Sequence, residues 1–315
     1  MTRSALKLLA LLVLAPLAAA APHNEAQAQD WAKANLEKSP RHREWVTLKH
    51  DSRSLQAYVV YPEVKQKATV VVLIHEIFGL SDWAKEMADE LAGAGYIVVA
   101  PDLLSGFGPN GGGSSEFTGQ EATVKAVSGL DPAVVTADLD AAADYGKKLP
   151  SANGKLAVAG FCWGGGKTFL FATHRKDLSG AFVFYGPPPA DVSGITAPVY
   201  GFYAGNDARI SSTIPDTTAA MNAAGKKYAP VIYPDAGHGF MRAGEDPAAT
   251  TTPANKKARE EGFARLTKLL KEIDAQKSSM LLPDHAPAIK PTSTIAPVVC
   301  EHDGASQDKT VAAIM

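Results

Sequence analysis

The sequence predicts an α/β fold, with a mostly parallel central sheet and helices on both faces, because apolar runs alternate with helical patterns. The first run, residues 69–74, is apolar after its leading threonine, as expected for a parallel strand buried on both faces. A helical pattern follows at residues 81–92, with apolar side chains on one face and glycines after it. Residues 97–100 are the next predicted strand.

The same alternation continues along the rest of the chain. Asp131 and Pro132 supply an N-cap and a first-turn proline, so they predict the start of a helix. A later helical pattern places apolar residues along one stripe between positions 263 and 273. Four further apolar runs are predicted to be strands: residues 156–159, 181–185, 199–203 and 231–233.

Length and composition favour one large domain. The chain has 315 residues, of which 46% are hydrophobic, and such a chain can build a single core. We therefore predict one domain over residues 29–282, and a monomer. The formal net charge of −2 gives no overall field that would recruit nucleic acid or an anionic membrane. A small-molecule substrate is expected instead.

The N-terminus has the pattern of a signal peptide, which we predict to cover residues 1–28. Arg3 and Lys7 form a basic region, and an apolar segment and small residues follow it. Cleavage is expected after Ala20 or Ala28. The apolar segment is too short to span a bilayer comfortably, so we expect export to a bacterial periplasm without stable membrane insertion.

The C-terminal residues 283–315 are rich in proline, and this composition predicts a disordered tail. The tail contains Cys300, one of only two cysteines, so the chain has no disulfide framework. A bond between Cys300 and the other cysteine, Cys162, is not expected.

Cys162 lies in a Gly-Phe-Cys-Trp-Gly-Gly segment, residues 160–165, between a predicted strand and a helical pattern. This context matches a nucleophile elbow, with cysteine where serine is usual. The turn is sharp, so side chains at Gly160 and Gly164 would collide across it. The adjacent helix N-terminus would also favour a thiolate. A buried structural cysteine is the alternative, but the flanking glycines favour a catalytic one.

A nucleophile needs a base and an acid that orients the base, and loops after later strands supply both in such a fold. His238 lies between two glycines, in a short loop after the strand at residues 231–233. A histidine packed in the core would be unusual there, so His238 is the predicted base. Asp207 follows the strand at residues 199–203 and is the predicted acid, although an N-cap or turn role is open to it. Asp235 is a competitor, but it lies only three residues from His238.

The loop after the first predicted strand should supply half of an oxyanion hole. In this arrangement one backbone N–H comes from that loop and the other from the residue after the nucleophile, which gives Ile77 and Trp163. The neighbours His75 and Glu76 could suggest zinc, but Gly79 occupies the place of the second histidine. We expect no metal and no cofactor.

These motifs, in this order, resemble those of the dienelactone hydrolase family, which has the α/β-hydrolase fold. The resemblance covers residues from about 44 to 273. It implies hydrolysis of carboxylic esters or lactones by a triad of Cys162, His238 and Asp207, through an acyl-thioenzyme. Glu76 matches a glutamate that contacts the resting thiol in that family and moves when substrate binds.

The resemblance also implies how substrate is held. Arg242 matches an arginine that binds the substrate carboxylate. Phe78 and Phe240 lie in the two loops concerned, and we predict that they contact substrate as well. The family has a second arginine where this chain has Gly106. Gly106 offers no charge, so the natural substrate is left open.

The alternatives to ester or lactone hydrolysis are nucleotide binding, which two sequence patterns suggest, and two other functions of the same fold. Residues 166–168 resemble the end of a P-loop, but Phe161 stands where that motif requires glycine. Residues 106–111 match G-x-G-x-x-G, yet they continue into a glycine- and serine-rich loop rather than a helix. The same triad could act on thioesters or other acyl groups, and a non-catalytic acyl-ligand binding protein could keep the fold.

Overall fold

A computed structural model of the protein describes residues 29–247 and 253–276. The predicted signal peptide, the predicted tail and Cys300 lie outside the described residues, so what the sequence indicates about them stays a prediction. All described residues belong to one unit, which ends at Gln276. Within these two ranges, no helix is long and apolar enough to cross a membrane.

The described part of the chain forms a central sheet of eight strands: β1 (Arg43–His50), β2 (Arg53–Val60), β3 (Ala68–Ile74), β4 (Ile97–Pro101), β5 (Ala152–Phe161), β6 (Gly180–Phe184), β7 (Val199–Ala204) and β8 (Tyr228–Tyr233). Their order across the sheet is β1-β2-β4-β3-β5-β6-β7-β8. The strands from β4 to β8 pair in parallel, whereas β2 is antiparallel to both β1 and β4. The predicted mostly parallel sheet is confirmed.

The helices of the described ranges are α1 (Asp30–Lys38), α2 (Asp82–Gly93), α3 (Gln120–Ser128), α4 (Pro132–Lys148), α5 (Trp163–His174), α6 (Ala208–Ser211), α7 (Ile214–Ala223), α8 (Phe240–Ala243) and α9 (Pro253–Ala275). Ser81 caps α2 by accepting a hydrogen bond from the backbone N–H of Ala84. Asp131 caps α4 in the same way through the N–H of Ala133. The helix start predicted at Asp131 and Pro132 is therefore confirmed.

Apolar side chains fill both sides of the sheet. Along β3, Val71 and Leu73 join a core that contains α2 and α9. Val70, Val72 and Ile74 join a second core, which contains α4 and α5. Burying each such side chain stabilises the fold by about 1.5–3 kcal/mol, so both faces of β3 favour apolar residues. This explains the uninterrupted apolar run in the sequence.

The antiparallel strands β1 and β2 at one edge of the sheet were not predicted from the sequence. Only Leu48 is fully buried in β1, and the other side chains of this strand are polar or partly exposed. In β2 the buried positions begin as an alternation at Leu55 and Ala57. Strand β1 is outermost in the sheet and lacks the continuous apolar run of β3, whereas β2 lies between β1 and β4 and is continuously buried only over residues 57–60.

The carboxyl ends of the parallel strands lie along one edge of the sheet. There, β3 leads into residues 75–79, β5 leads into Cys162, and β7 leads into Asp207. His238 follows β8 in the same way. Loops at this edge are where open α/β sheets bind ligands, so the topology gathers the predicted functional residues.

Candidate active site

Cys162 occupies a sharp turn between β5 and α5. Its φ of 56° and ψ of −116° form a conformation that residues other than glycine rarely adopt. A Cβ atom on Gly160 would collide with the carbonyl oxygen of Gly164. A Cβ atom on Gly164 would collide with the carbonyl oxygen of His75. The predicted steric need for glycine at both flanking positions is therefore confirmed.

Cys162, His238 and Asp207 form a hydrogen-bonded chain. His238 Nε2 lies 3.1 Å from Cys162 Sγ, and His238 Nδ1 lies 2.5 Å from Asp207 Oδ2. An ionised carboxylate can only accept, so Nδ1 carries the ring proton and Nε2 is left to accept from the thiol. In this geometry the histidine can take a proton from the sulfur while the carboxylate holds the ring in place.

The turn after β8 presents His238 to the sulfur. Gly239, the next residue, has a φ of 75°, which glycine adopts without strain. The ring of Tyr185 packs edge-on against the imidazole, with centroids 5.0 Å apart. Asp235, the competing acid, is exposed in this turn, and the hydrogen-bond partner of His238 Nδ1 is Asp207.

The backbone N–H groups of Trp163 and Ile77 both hydrogen-bond to the Cys162 sulfur. Burial raises the pKa of the Cys162 thiol, the charge of Glu76 raises it further, and the two N–H groups lower it. The shift is upward overall, so burial and Glu76 outweigh the thiolate-favouring effect expected of the helix N-terminus. The thiol therefore rests in its protonated form at neutral pH.

Glu76 is a buried carboxylate, 3% exposed, at the end of β3. Its Oε2 accepts a hydrogen bond from Arg242 Nε at 3.0 Å, and its Oε1 accepts one from the Tyr185 hydroxyl at 3.5 Å. Burial raises the pKa of Glu76, whereas Arg242 and His238 lower it. The resemblance implied a direct contact with the thiol. In the structure Arg242 binds this carboxylate, which acts on Cys162 through its charge.

Of the three predicted substrate contacts, Arg242 and Phe78 lie together at the site. The guanidinium carbon of Arg242 is 5.1 Å from the centre of the Phe78 ring, and both side chains are partly exposed. Phe240 is 0% exposed and packs against Tyr185 and Tyr233. The prediction that Phe240 contacts substrate is therefore wrong, because the turn after β8 directs this ring into the core.

Sequence reasoning missed two residues near the sulfur. Tyr185 is buried at the end of β6 with a φ of 38°, and it contacts both Glu76 and His238. The available signal was a polar hydroxyl directly after an apolar strand, at the end of the sheet where the other site residues lie. Arg209 lies in α6, and its positive charge lowers the pKa of the Cys162 thiol. No sequence pattern pointed to Arg209.

Features that would bind a metal ion or a nucleotide phosphate are weak in residues 29–247 and 253–276. Nothing in these ranges gathers three or more His, Cys, Asp or Glu side chains into a possible metal site. In the glycine-rich loop, Glu116 Oε2 accepts hydrogen bonds from the N–H groups of Asn110 and Gly112, at 2.9 Å and 3.0 Å. A carboxylate of the chain itself thus occupies amides that a phosphate would need.

Known proteins match most of this chain. A family model described as "Dienelactone hydrolase family" matches residues 55–274. "Putative carboxymethylenebutenolidase" from Methylorubrum extorquens is 33% identical over 226 residues, which cover 67% of this chain and 75% of that protein. The Escherichia coli K12 protein of the same name is 30% identical over 223 residues, which cover 66% and 79% of the two chains.

Solved structures show the same fold. The "Putative Dienelactone Hydrolase" from Klebsiella pneumoniae aligns with a TM-score of 0.64 and 26% identity, over 74% of this chain and 99% of that chain. An acylaminoacyl peptidase aligns with a TM-score of 0.56 and 15% identity, over 78% of this chain and 46% of that one, and shares the fold alone. The predicted α/β-hydrolase fold is confirmed.

Proposed function

This chain belongs to the dienelactone hydrolase family, and on that basis we propose that it hydrolyses carboxylic esters or lactones with Cys162 as the nucleophile. The observation that carries the proposal is the hydrogen-bonded chain from Asp207 through His238 to Cys162. Its two distances, 2.5 Å and 3.1 Å, are short enough for proton transfer from the sulfur to a histidine held in one orientation.

Acylation begins with the protonated thiol. His238 Nε2 takes the thiol proton as Cys162 Sγ attacks the carbonyl carbon of the substrate, and the carbonyl oxygen becomes an oxyanion. The backbone N–H groups of Ile77 and Trp163 stabilise this oxyanion. The bond to the leaving oxygen then breaks, His238 gives its proton to that oxygen, and the acyl group stays on the sulfur as a thioester.

Deacylation repeats these steps with water. His238 Nε2 removes a proton from a water molecule, whose oxygen attacks the thioester carbonyl. The same two N–H groups hold the second oxyanion. When the carbon–sulfur bond breaks, the acid leaves and Cys162 regains the proton from His238. Asp207 keeps Nδ1 protonated throughout, so that Nε2 alone exchanges protons.

The charges at the site favour a broad choice of substrate. Arg242, which the resemblance implies as the carboxylate-binding residue, is already paired with Glu76. Gly106 supplies no second cation. We expect neutral esters to be hydrolysed at least as well as anionic lactones, because no dedicated pair of arginines holds a negative charge.

Active-site titration of the mature protein tests the nucleophile. With 4-nitrophenyl acetate, a burst of one equivalent of nitrophenol per Cys162 is expected if acyl-thioenzyme accumulates. Cys162→Ala should lower kcat by at least about 10³-fold without loss of fold. Iodoacetamide should label Cys162 and abolish turnover, and substrate should protect the thiol. Full activity after stoichiometric labelling of Cys162 would overturn the mechanism.

A substrate panel separates this function from its alternatives. Aryl esters, lactones and acyl thioesters are compared by kcat/KM on the same preparation. A preference for thioesters by more than about tenfold would identify a thioesterase with the same triad. Binding of acyl compounds without any Cys162-dependent turnover would identify a non-catalytic binding protein.

We also propose that the protein is exported, to a bacterial periplasm. Support comes from the sequence, where Arg3, Lys7 and the apolar segment that follows have the order of a signal peptide. Expression of the full chain in a bacterium, followed by cell fractionation and intact-mass analysis, should give a periplasmic form that begins at Ala21 or Gln29. An unprocessed chain confined to the cytoplasm would contradict export.

A further inference from the structure

His75 is a buried histidine that the proposed reaction does not use. Its side chain is 0% exposed, at the point where β3 enters the loop that carries Glu76 and Ile77. Burial lowers the pKa of His75, so the ring is neutral at neutral pH. Its Nδ1 lies 2.7 Å from the backbone oxygen of Glu76. Because a carbonyl oxygen only accepts, Nδ1 carries the ring proton and donates it there.

The Glu76 carbonyl belongs to the same peptide group as the Ile77 N–H. A peptide group is planar, so a contact that fixes the direction of its C=O also fixes the direction of its N–H. The Ile77 N–H hydrogen-bonds to the Cys162 sulfur, next to which the oxyanion would form. A hydrogen bond accepted by the carbonyl also polarises the peptide and strengthens its N–H as a donor.

His75 also contacts the segment that supplies the second N–H. Its ring stacks on the Trp163 indole, with centroids 5.6 Å apart and ring planes 11° apart. Gly164 comes so close to the backbone of His75 that a Cβ atom there would collide with the His75 carbonyl oxygen. The imidazole therefore lies between the loop after β3 and the first turn of α5, which supply the two converging N–H groups.

We propose that His75 is a positioning residue for the oxyanion hole, one that holds the Ile77 amide through the hydrogen bond from its Nδ1 to the Glu76 carbonyl. The inference rests on the proposed function, because it requires an oxyanion beside Cys162. His75 Nε2 accepts no hydrogen bond from any described residue. The Nδ1 contact is thus the feature that a substitution must remove or keep.

Two substitutions separate the Nδ1 contact from the stacking. His75→Phe keeps a flat ring against Trp163 and removes the donor, whereas His75→Asn keeps an N–H donor near the position of Nδ1 and removes the ring. With 4-nitrophenyl acetate, His75→Phe should lower kcat by about 10- to 100-fold and change KM by less than about threefold, because the oxyanion exists only after attack. His75→Asn should recover most of this loss.

A second readout uses a trifluoromethyl ketone analogue of the ester, which forms a tetrahedral adduct with the thiol. His75→Phe should weaken its inhibition by the same factor as it lowers kcat. His50→Phe is the control, since His50 is a partly buried histidine of β1 whose Nε2 contacts Asp138 at 2.6 Å. This control should lower Tm and leave kcat unchanged.

Three results would overturn the inference: wild-type kcat in His75→Phe, an equal loss in His75→Asn, or a change confined to KM. If His75→Phe does not fold, His75→Ala removes the same donor without adding volume, and the same loss of kcat is expected. Failure of the proposed function would be recognised by a different result, because Cys162→Ala would then keep the activity of the wild type. Iodoacetamide labelling of Cys162 in each variant shows that the thiol is still accessible.

Discussion

At the scale of single residues, burial and then the charge of Glu76 raise the pKa of the Cys162 thiol. Like charges repel, so an anion near the sulfur raises the thiol pKa, as found here together with burial. Glu76→Gln removes that anion and leaves the positive charge of Arg242 in place. We expect the pH of half-maximal iodoacetamide alkylation to fall, because loss of the anion and the remaining positive charge both favour the thiolate. Inactivation by dilute peroxide should become faster and turnover slower.

The matched control for this measurement is Glu44→Gln. Glu44 also accepts a hydrogen bond from a tyrosine, Tyr61, but it lies on β1 at the edge of the sheet. The Glu44→Gln substitution should leave the pH profile of Cys162 alkylation unchanged. The same profile in Glu76→Gln as in the wild type would reject an electrostatic role for Glu76 and leave it a structural partner of Arg242.

Arg242 can be tested by the charge of the substrate. Arg242→Ala should raise KM for an ester that carries a carboxylate by about tenfold, which corresponds to the loss of about 1.4 kcal/mol of attraction. KM for a neutral ester of similar size should change by less than about twofold. Arg242→Lys keeps the charge and should give the smaller effect with the anionic ester.

Equal changes in KM for the two esters would mean that Arg242 does not meet the substrate. Its effect would then pass through Glu76, which would lose the partner that offsets its burial. Thermal unfolding of Arg242→Ala distinguishes this case, since a buried carboxylate without its cation destabilises the fold strongly.

Steric demands at single residues could be predicted from the sequence, but the directions of side chains could not. Gly160 and Gly164 were predicted from the motif, because this turn brings backbone atoms too close to both flanking positions for a Cβ atom. Phe240 was misassigned, since a residue in a functional loop can point into the core as well as towards substrate. The pairing of Glu76 with Arg242 depends on burial, which the sequence pattern does not give.

At the scale of elements, prediction succeeded where burial or capping leaves a clear mark in the sequence. Strand β3 was found because both of its faces are buried, and α4 because its cap and first-turn proline have a local chemistry. The antiparallel strands β1 and β2 leave only a partial alternation. The four-residue helices α6 and α8 are too short to show any periodicity.

The contact between α1 and α2 has a titratable group at its centre. Glu86 of α2 accepts a hydrogen bond from Asn35 of α1 at 2.6 Å. Burial raises the pKa of Glu86 to about 7, against the opposing effect of the Asn35 hydrogen bond, whereas the ordinary value is 4.5. The folded protein therefore binds this proton more tightly than the unfolded chain. Its contribution to stability is fully present below pH 4.5 and is lost as pH rises through about 7.

Glu86→Gln should remove this pH dependence and keep an oxygen that accepts from Asn35. Thermal unfolding at pH 5 and pH 8, at one ionic strength, should show a smaller decrease in Tm for the variant than for the wild type. At pH 8 the variant should melt at the higher temperature. Glu121→Gln, at an exposed position of α3, is the control. A variant with the wild-type pH dependence would contradict the assignment to Glu86.

At the scale of the whole molecule, the parallel sheet explains why distant motifs could be assigned to one site. The carboxyl ends of β3, β5, β7 and β8 lie at one edge, so loops far apart in the chain must meet there. That rule could be applied to the sequence alone. The contacts of His75 could not be predicted, because they depend on which ring nitrogen faces which carbonyl in the folded state.

The positive φ of Cys162 lowers the stability of the fold, although the reaction requires a cysteine at this position. Such backbone strain costs about 1–3 kcal/mol, and glycine escapes it at an entropic cost of about 0.5–1 kcal/mol. Cys162→Gly should therefore melt about 2–4 °C above Cys162→Ala, by differential scanning calorimetry, although neither has a nucleophile. An equal or lower Tm for the glycine variant would show that the turn is unstrained.

A library of variants sorted only for survival on heating would then accumulate dead proteins at position 162. Directed evolution of a more heat-stable form must therefore measure turnover in every round, because substitutions of Cys162 that raise stability abolish activity.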